Sequence, residues 1–301
     1  MTLEQLRSFR AVIETGSFRA AAERVHRSQP AVSLQIQALE KACGGPLLER
    51  KGCRPTPAGR RVYARAVEIL AHADSLAKEL REMGDSSWQT LRAGASDTTA
   101  LYVLPAVVLA LTRSMPLVRL TLVNRPSEAL AELVIQGGLD LALATLPMGS
   151  PDLEEHDLFE EQLVLVAPRS HRLGRRRTAS LAELEKEPVL LLDPATRTGA
   201  TLTDFFHRQS FTPHVVLESG SFEVIKRYVA SGLGIAFLPR IALTPSDLML
   251  TAIRVKGLPS IRIGAVWRRG AYQTRSEKLF LELVAKHAAK LRTPKTPPKP
   301  P

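Results

Sequence analysis

Apolar strands alternate with amphipathic helices through most of the chain after Thr90. The first round has predicted strands LRAGAS, VRLTLVN and LDLALATL, with helices near residues 100–114 and 127–136 between them. A second round has predicted strands PVLLLD, HVVLES and GIAFLP, with helices near 199–210 and 221–231. Strands and helices in this order build parallel sheets with right-handed crossover helices. This part of the chain is therefore predicted to be α/β, with two Rossmann-like lobes.

Two further strands connect the lobes. EQLVLVAP (161–168) is predicted to leave the first lobe and enter the second, and SIRIGAVW (260–267) to return to the first. A last helix, near 275–291, is predicted to pack back onto the first lobe. Two lobes joined by two crossing strands form a hinged cleft between them.

The first 57 residues have a different pattern, which predicts three short helices followed by a hairpin. Gly16 ends the first helix, and Ser17 is placed to cap the second. The turn after the second helix falls at His26 and Arg27. Ser28 then caps a third helix, with Pro30 in its first turn, where no hydrogen bond of an amide is lost. CGGP ends this helix, and LLERKGCRPTPAG predicts two short strands around a turn at residues 51–52.

A long helix is predicted from Pro57 to about Met83. Its apolar residues recur three and four positions apart, at Val62, Ala66, Ile69, Ala73, Leu76 and Leu80. No other core lies nearby in the sequence, so the stripe predicts a dimerising or packing helix. The segment GDSSWQT (84–90) is the predicted linker, and residues 293–301 form a predicted disordered basic tail.

Composition and the absence of certain motifs indicate which partners, location and activity to expect. The chain of 301 residues has a formal net charge of +11, which suggests a polyanionic partner such as nucleic acid, although basic surfaces also occur with no nucleic-acid role. Two cysteines make no disulfide framework, and the charged N-terminus does not resemble a signal peptide, so we expect a cytoplasmic location. The sequence contains none of the nucleophile-elbow, phosphate-loop or zinc-binding motifs, so we expect no enzymatic activity, cofactor or metal.

The third helix carries the strongest functional signal in the N-terminal segment. On a helical wheel, Val32, Ile36, Leu39 and Cys43 form the predicted buried stripe. Gln29, Ser33 and Gln37 lie together on the exposed side, next to Pro30 and Leu34. Such a polar face is either simply solvated or suited to base edges in the major groove, where amides and hydroxyls both donate and accept. The preceding helix and tight turn favour DNA readout.

These residues resemble the LysR-type transcriptional regulators. The likeness runs through LEQLRSFRAVIETGSFRAAAERVHRSQPAVSLQIQALEKACGGPLLER and TPAG, and continues in GASDTTALYVLP, GGLDLALATLP and VASGLGIAFLP. It implies an N-terminal all-α winged helix-turn-helix with a long linker helix, and a C-terminal effector-binding domain of periplasmic-binding-protein type. It also implies homo-oligomers, dimers or tetramers, on double-stranded DNA, with RNA polymerase as a further candidate partner.

The resemblance divides the chain into functional segments. Residues 1–57 form the expected DNA-binding domain, 58–90 the linker helix and hinge, and 91–292 the regulatory domain. Lobe I covers about 91–161 and 268–292, and lobe II about 168–260. The expected DNA-binding residues are Ser17, Arg19, Ser28, Gln29, Pro30, Ser33, Leu34, Gln35, Gln37, Arg50 and Arg54. Leu34 stands where relatives often carry a basic residue.

The cleft is expected to bind a small polar or anionic effector. Strand ends and helix starts line such a cleft, and here they are rich in hydroxyl groups. The candidates are Ser96, Asp97, Thr98, Thr99, Thr145, Thr196, Arg197, Thr198 and Thr201. The alternative is that these residues only cap helices. For the whole chain, the alternative to a transcriptional regulator is a solute-binding protein with a helical N-terminal extension.

Overall fold

The computed structural model describes residues 1–49, 52–83 and 89–292. The predicted turn residues Arg50 and Lys51, most of the predicted linker and the predicted tail lie outside the described residues. The described residues divide into two compact units whose border falls between residues 86 and 87, with residues 270–272 grouped with the first unit. None of the described helices is both long and apolar enough to cross a membrane.

The first unit is helical, as predicted. Its helices are α1 (Leu3–Thr15), α2 (Phe18–Arg24), α3 (Gln29–Cys43) and α4 (Pro57–Met83). Ser17 and Ser28 cap α2 and α3, each accepting a hydrogen bond from a backbone amide three residues on. Between these two helices, His26 takes a left-handed backbone conformation with φ 53°, which closes the predicted tight turn.

The predicted hairpin after α3 is reduced to a single bridge between Leu48 and Pro55. Two backbone hydrogen bonds extend it, from the Glu49 amide to the Arg54 carbonyl at 2.9 Å and from the Thr56 amide to the Leu47 carbonyl at 2.9 Å. Pro55 has no amide proton to donate to a ladder, which limits the pairing.

Two predictions about buried faces in the first unit were wrong in part. Cys43 is the last residue of α3, before the cap residue Gly44. It is exposed because it lies beyond the residues that α1 and α2 cover. On α4, Ala66 and Leu70 are fully buried in the core of the first unit, although no core was expected near this helix. Leu76 and Leu80 further along α4 are exposed by 56% and 58%.

The second unit contains the two predicted rounds of strands and helices. Its strands are β1 (Gln89–Ala95), β2 (Val118–Asn124), β3 (Leu141–Thr145), β4 (Leu153–Pro168), β5 (Thr178–Ala179), β6 (Pro188–Leu192), β7 (His214–Ser219), β8 (Ile235–Pro239), β9 (Leu250–Val255) and β10 (Ser260–Arg268). Its helices are α5 (Asp97–Tyr102), α6 (Leu104–Ser114), α7 (Ser127–Ile135), α8 (Arg197–Arg208), α9 (Phe222–Ala230) and α10 (Arg275–Arg292).

The strand order is β2-β1-β3-β10-β4-β8-β6-β7. Within the first lobe β1 pairs in parallel with β2 and β3, and within the second β6 pairs in parallel with β7 and β8. The connecting strands β4 and β10 run antiparallel to each other. The 16-residue strand β4 also pairs with β8 and β9, so one continuous strand belongs to both lobes.

Three elements differ from prediction. The helix expected at 100–114 is two helices that meet at Val103, because Pro105 lies in the first turn of the second. Strand β4 begins at Leu153, eight residues before the predicted start at 161, although this stretch is rich in acidic residues. Strands β5 and β9 were not predicted, and they pair with each other in parallel.

Candidate functional site

The exposed face of α3 carries the side chains predicted to read DNA. Gln29, Pro30 and Gln37 are exposed, and Ser33 is half-buried. Leu34 is 66% exposed, although it is apolar. Val32, Ile36 and Leu39 on the opposite face are buried in the core of the first unit, so α3 is anchored along one side and free along the other.

Gln35 has a structural contact instead of a free side chain. Its Oε1 accepts a hydrogen bond from the hydroxyl of Ser8, a buried residue of α1. Arg19 is highly exposed and lies 3.5 Å from Glu23 one turn along α2, a surface pair that contributes little to stability. The hydroxyls of Ser17 and Ser28 act as helix caps and lie at the two helix starts.

The segment after α3 is fixed to that helix by Glu40, which sequence reasoning did not identify. Glu40 Oε1 accepts hydrogen bonds from the Leu47 amide at 2.8 Å and the Leu48 amide at 3.2 Å. Arg54 lies at the other side of the bridge and is exposed. Arg50 lies outside the described residues.

The second unit contains a cavity of about 290 Å³ between its two lobes. Lobe I contributes the carboxyl end of β3 and the segments that follow β1 and β2, and lobe II the starts of α8 and α9. Eight of the nine predicted effector residues line this cavity: Ser96, Asp97, Thr98, Thr99, Thr145, Thr196, Arg197 and Thr198. The exception is Thr201, whose hydroxyl donates to the Arg197 carbonyl at 2.8 Å within α8.

The connecting strands form another wall of the cavity, which was not predicted. Phe159 and Glu161 on β4, and Ile261 and Ile263 on β10, line it. These side chains share one face because of the strand register. Glu161 on β4 is opposite Ile261 on β10, and Ile263 on β10 is opposite Phe159 on β4 and Thr145 on β3. This wall therefore presents apolar side chains and one carboxyl group.

Glu161 is 9% exposed, and its Oε1 accepts a hydrogen bond from the Ile241 amide at 2.8 Å. Burial raises the pKa of Glu161 to about 7, against the smaller lowering effects of the Ile241 amide and the positive charge of Arg240. Among the described residues, no group donates a hydrogen bond to Oε2. Near neutral pH this carboxyl group is therefore present both as an acid and as a carboxylate.

Some lining residues had a signal in the sequence that was not used. Asn124 ends β2, and Arg125 and Ser127 follow it, much as Ser96 follows β1 and Thr145 ends β3. The rule that ligands bind at the carboxyl ends of parallel strands applies to them equally. Phe159 and Glu161 had no comparable signal, because their position depends on the pairing of β4 with β10.

Two sets of side chains join the lobes beside the cavity. Arg197 of lobe II lies 2.7 Å from Glu128 of lobe I and also donates to the Pro147 carbonyl. Tyr102 of lobe I donates its hydroxyl proton to Glu223 of lobe II. Burial, followed by the hydrogen bond to Glu223, raises the pKa of Tyr102, so the hydroxyl stays protonated and donating.

Lys226 anchors the second of these contacts within lobe II. Its side chain is almost fully buried, and Nζ lies 2.9 Å from Glu223, 3.0 Å from Asp247 and 2.8 Å from the Ala242 carbonyl. Nζ also lies 5.5 Å from the centre of the Tyr102 ring. A buried lysine with two carboxylate partners fixes Glu223 where the Tyr102 hydroxyl reaches it.

Comparison with known proteins gives these two units a family. Residues 3–60 match the family model of the bacterial regulatory helix-turn-helix protein, lysR family, and residues 85–289 match the LysR substrate binding domain. The chain belongs to the LysR family. LysR regulators combine a helix-turn-helix with an effector-binding domain, as this chain does. It is therefore a LysR-type DNA-binding transcriptional regulator.

Individual LysR relatives agree along nearly the whole length. The chain is 34% identical over 277 residues to a probable hydrogen peroxide-inducible genes activator of Streptomyces viridosporus, covering 90% of this chain and 89% of the relative. It is 31% identical over 300 residues to the RuBisCO operon transcriptional regulator of Allochromatium vinosum, covering 97% and 98%. Among solved structures, a full-length cysteine-to-aspartate variant of OxyR from Pseudomonas aeruginosa is similar with a TM-score of 0.77, 26% identity and 94% coverage of both chains.

The helix-turn-helix match decides between the two functions that the sequence left open. A solute-binding protein with an unrelated helical extension would match only the substrate-binding model, whereas here both LysR models match in the expected order. The predicted family, fold class and regulatory function are confirmed. The family consists of transcriptional regulators, not enzymes.

Proposed function

We propose that α3 reads operator DNA through Gln29, Ser33 and Gln37. Their compact amide and hydroxyl groups lie on the accessible face of a helix whose other face is anchored in the core. An amide can pair bidentately with adenine, and a hydroxyl suits either kind of base. Leu34 contacts a thymine methyl group in this proposal, which accounts for a highly exposed leucine beside polar neighbours. Pro30 sets the start of the helix in the groove.

The remaining DNA-binding candidates contact phosphates in this proposal. Ser17, Ser28 and Arg19 lie at the starts of α2 and α3, and Arg54 follows the bridge. Arg50 completes the set from outside the described residues. Of the predicted contacts, Gln35 has the weakest support, because its Oε1 is engaged by Ser8.

Two substitutions separate base reading from phosphate contact. Gln29→Ala should change the preferred base at its position, whereas Arg54→Ala should weaken binding to all sequences and reduce the salt slope by about 1. The measurement is fluorescence anisotropy on the DNA upstream of the protein's own gene and on a scrambled duplex, over a range of salt concentrations. Equal losses on both duplexes for Gln29→Ala would remove its readout role.

The cavity of the regulatory domain is proposed to bind a small polar or anionic metabolite. The observation that carries this proposal is that eight of nine residues chosen from the sequence line a single cavity between the lobes. Unpaired amides at helix starts favour an anion, while Asp97 and Glu161 add acceptors for a donor group on the same ligand. An anionic effector would also compete with Glu128 for Arg197.

A metabolite panel tests the cavity. A compound that binds the native state raises the unfolding temperature by mass action. Thr145→Val keeps the side-chain shape but removes a hydroxyl from the cavity, so it should reduce this shift. Thr201→Val makes the same change on α8 outside the cavity lining and serves as the matched control. Equal shifts for both variants would place the effector elsewhere.

Effector binding is proposed to alter DNA binding or bending by changing how the lobes and subunits are arranged. The contacts of Arg197 with Glu128 and of Tyr102 with Glu223 already join the lobes, and in this proposal a ligand between the lobes changes their strength. By linkage, an effector that changes operator affinity must itself bind with a different affinity when operator is present. Titrating the effector with and without DNA checks this reciprocity.

The protein is proposed to act as a dimer or tetramer in the cytoplasm, where its DNA target lies. Ile69, Leu76 and Leu80 are exposed on α4 and supply an apolar face for self-association. Contact with RNA polymerase remains a prediction. Residues 1–57, 58–90 and 91–292 are proposed to be separate functional segments. We expect that the protein does not chemically convert its effector.

The name of the Streptomyces viridosporus relative raises the question whether this regulator senses peroxide through a thiol. Peroxide sensing by a thiol needs a reactive, accessible cysteine. Both cysteines of this chain, Cys43 and Cys53, precede the regulatory domain, which contains none. The regulatory domain therefore has no thiol to oxidise, which favours a bound metabolite as the signal.

A further inference from the structure

The positive charge of this regulator is concentrated away from its DNA-reading helix. Residues 1–90 contain 14 Lys and Arg against 10 Asp and Glu, and α3 itself carries one basic residue, Lys41. Residues 91–168 are acidic, with 4 basic and 10 acidic side chains. Residues 169–301 contain 23 basic and 10 acidic side chains, so the excess charge lies mainly after residue 168.

Part of this charge forms one exposed surface on lobe II. The loop 169–177 follows β4, and the end of β9 lies beside it: the Arg254 amide donates to the Arg177 carbonyl at 3.0 Å, and the Arg169 amide donates to the Met249 carbonyl at 2.8 Å. Five exposed basic residues lie on these paired segments: Arg169, Arg175, Arg177, Arg254 and Lys256. We call this set of residues the arginine surface.

None of these five side chains has an acidic partner among the described residues. Two of the nearby acidic residues are already engaged: Glu187 pairs with His171 and Arg172, and Glu183 pairs with Arg176. Like charges held together without partners repel one another, and a polyanion relieves that repulsion on binding. The positive charges of the arginine surface are therefore not neutralised in the free protein.

The loop that carries the arginines is held in place by the core. Leu173 in its centre is fully buried. The chain doubles back so tightly that a Cβ on Gly174 would lie 2.4 Å from the Pro168 carbonyl oxygen. Three backbone hydrogen bonds of 2.8–3.0 Å close the loop, from the amides of residues 171, 174 and 176. A fixed backbone lowers the entropy lost when the side chains bind a partner.

We propose that the arginine surface is a second DNA-binding site, which contacts the phosphate backbone of the duplex bound by α3. Guanidinium groups match phosphate oxygens in a two-pronged geometry, and four of the five residues are arginines. The regulator acts on a polyanion, and its reading helix supplies little charge of its own. Phosphate contacts from lobe II add affinity without adding sequence preference.

The test uses the full-length protein and two duplexes from the DNA upstream of its own gene, one limited to the helix-turn-helix footprint and one extended on both sides. Affinity is measured by anisotropy over a series of salt concentrations. Arg175→Gln/Arg177→Gln should reduce the salt slope on the extended duplex by about 1.8, corresponding to two lost phosphate contacts. The slope on the short duplex, and the ratio of cognate to scrambled affinity, should stay unchanged.

Arg113→Gln/Arg119→Gln is the matched control, because these arginines are also exposed, lie in lobe I and have no acidic partner among the described residues. Both double variants lose the same charge, so equal slopes for the two would overturn the proposal. An unchanged slope combined with loss of retention on poly-L-glutamate would also overturn it, in favour of an acidic protein partner. Neither result would affect base reading by Gln29, which is measured separately as sequence preference.

Discussion

Glu161→Gln should make the regulatory domain more stable, and increasingly so as the pH rises. Burial raises the pKa of the Glu161 carboxyl group from 4.5 to about 7. In the folded state the proton is therefore held more tightly than in the unfolded chain. The stability that the protonated Glu161 carboxyl group contributes is fully present below about pH 4.5, falls as the pH rises and is lost above about pH 7. Glutamine has no proton to lose, and its Oε1 can still accept from the Ile241 amide.

The size of the effect follows from the same pKa values. A group whose pKa is raised this far costs the folded state about 3 kcal/mol once it is ionised. The difference in unfolding free energy between the variant and the natural protein should therefore grow by roughly 2–3 kcal/mol from about pH 5 to about pH 8. Urea unfolding of the full-length protein, followed by tryptophan fluorescence and circular dichroism, measures this difference.

Glu160→Gln is the matched control, since Glu160 lies on the same strand but is exposed. It removes one carboxylate of the same length without releasing a buried charge, so it should give no comparable stabilisation. A stability difference for Glu161→Gln that stays constant over this pH range would show that the carboxyl group is hydrated in the folded protein. The reasoning from burial would then be wrong.

Three further predictions concern the contacts within and between the lobes and the apolar face of α4. Lys226→Met should cost about 3–5 kcal/mol of stability in urea unfolding, because it leaves Asp247 without its buried partner. Tyr102→Phe should cost about 1–3 kcal/mol by removing a hydrogen bond to a carboxylate, and an unchanged unfolding midpoint would show that the lobes are held without it. Leu76→Lys/Leu80→Lys should lower the molecular mass measured by light scattering, whereas an unchanged mass would exclude this face of α4 from self-association.

Local signals in the sequence were sufficient for most of the fold. The capping serines, the glycine stops and the 3.6-residue period of α3 depend only on neighbouring residues, so the helix appears where it was predicted. The effector candidates were equally accessible, since each follows a strand or starts a helix, and parallel strands bring those points together. Thr201 is the exception because it lies one turn too far along α8.

What the sequence did not reveal depends on contacts between distant residues. Glu161 reads as the last member of an acidic run, and only the pairing of β4 with β10 turns it towards the cavity. Cys43 fits the periodicity of the buried stripe of α3, but no element of the core reaches the end of that helix. The arginine surface likewise needs the pairing of β5 with β9, two strands with no clear sequence pattern.

Strand β4 also limits how this protein can change length during evolution. Its alternate residues Phe159, Glu161 and Leu163 share one face, with the first two at the cavity, and the strand then continues into lobe II. Inserting or deleting one residue near Gln162 would reverse the faces on one side of the change while leaving the other side intact. Either the cavity wall or the core of lobe II would then present the wrong side chains. Insertions in this regulator should therefore accumulate in surface loops, while the spacing from Phe159 to Leu163 stays fixed.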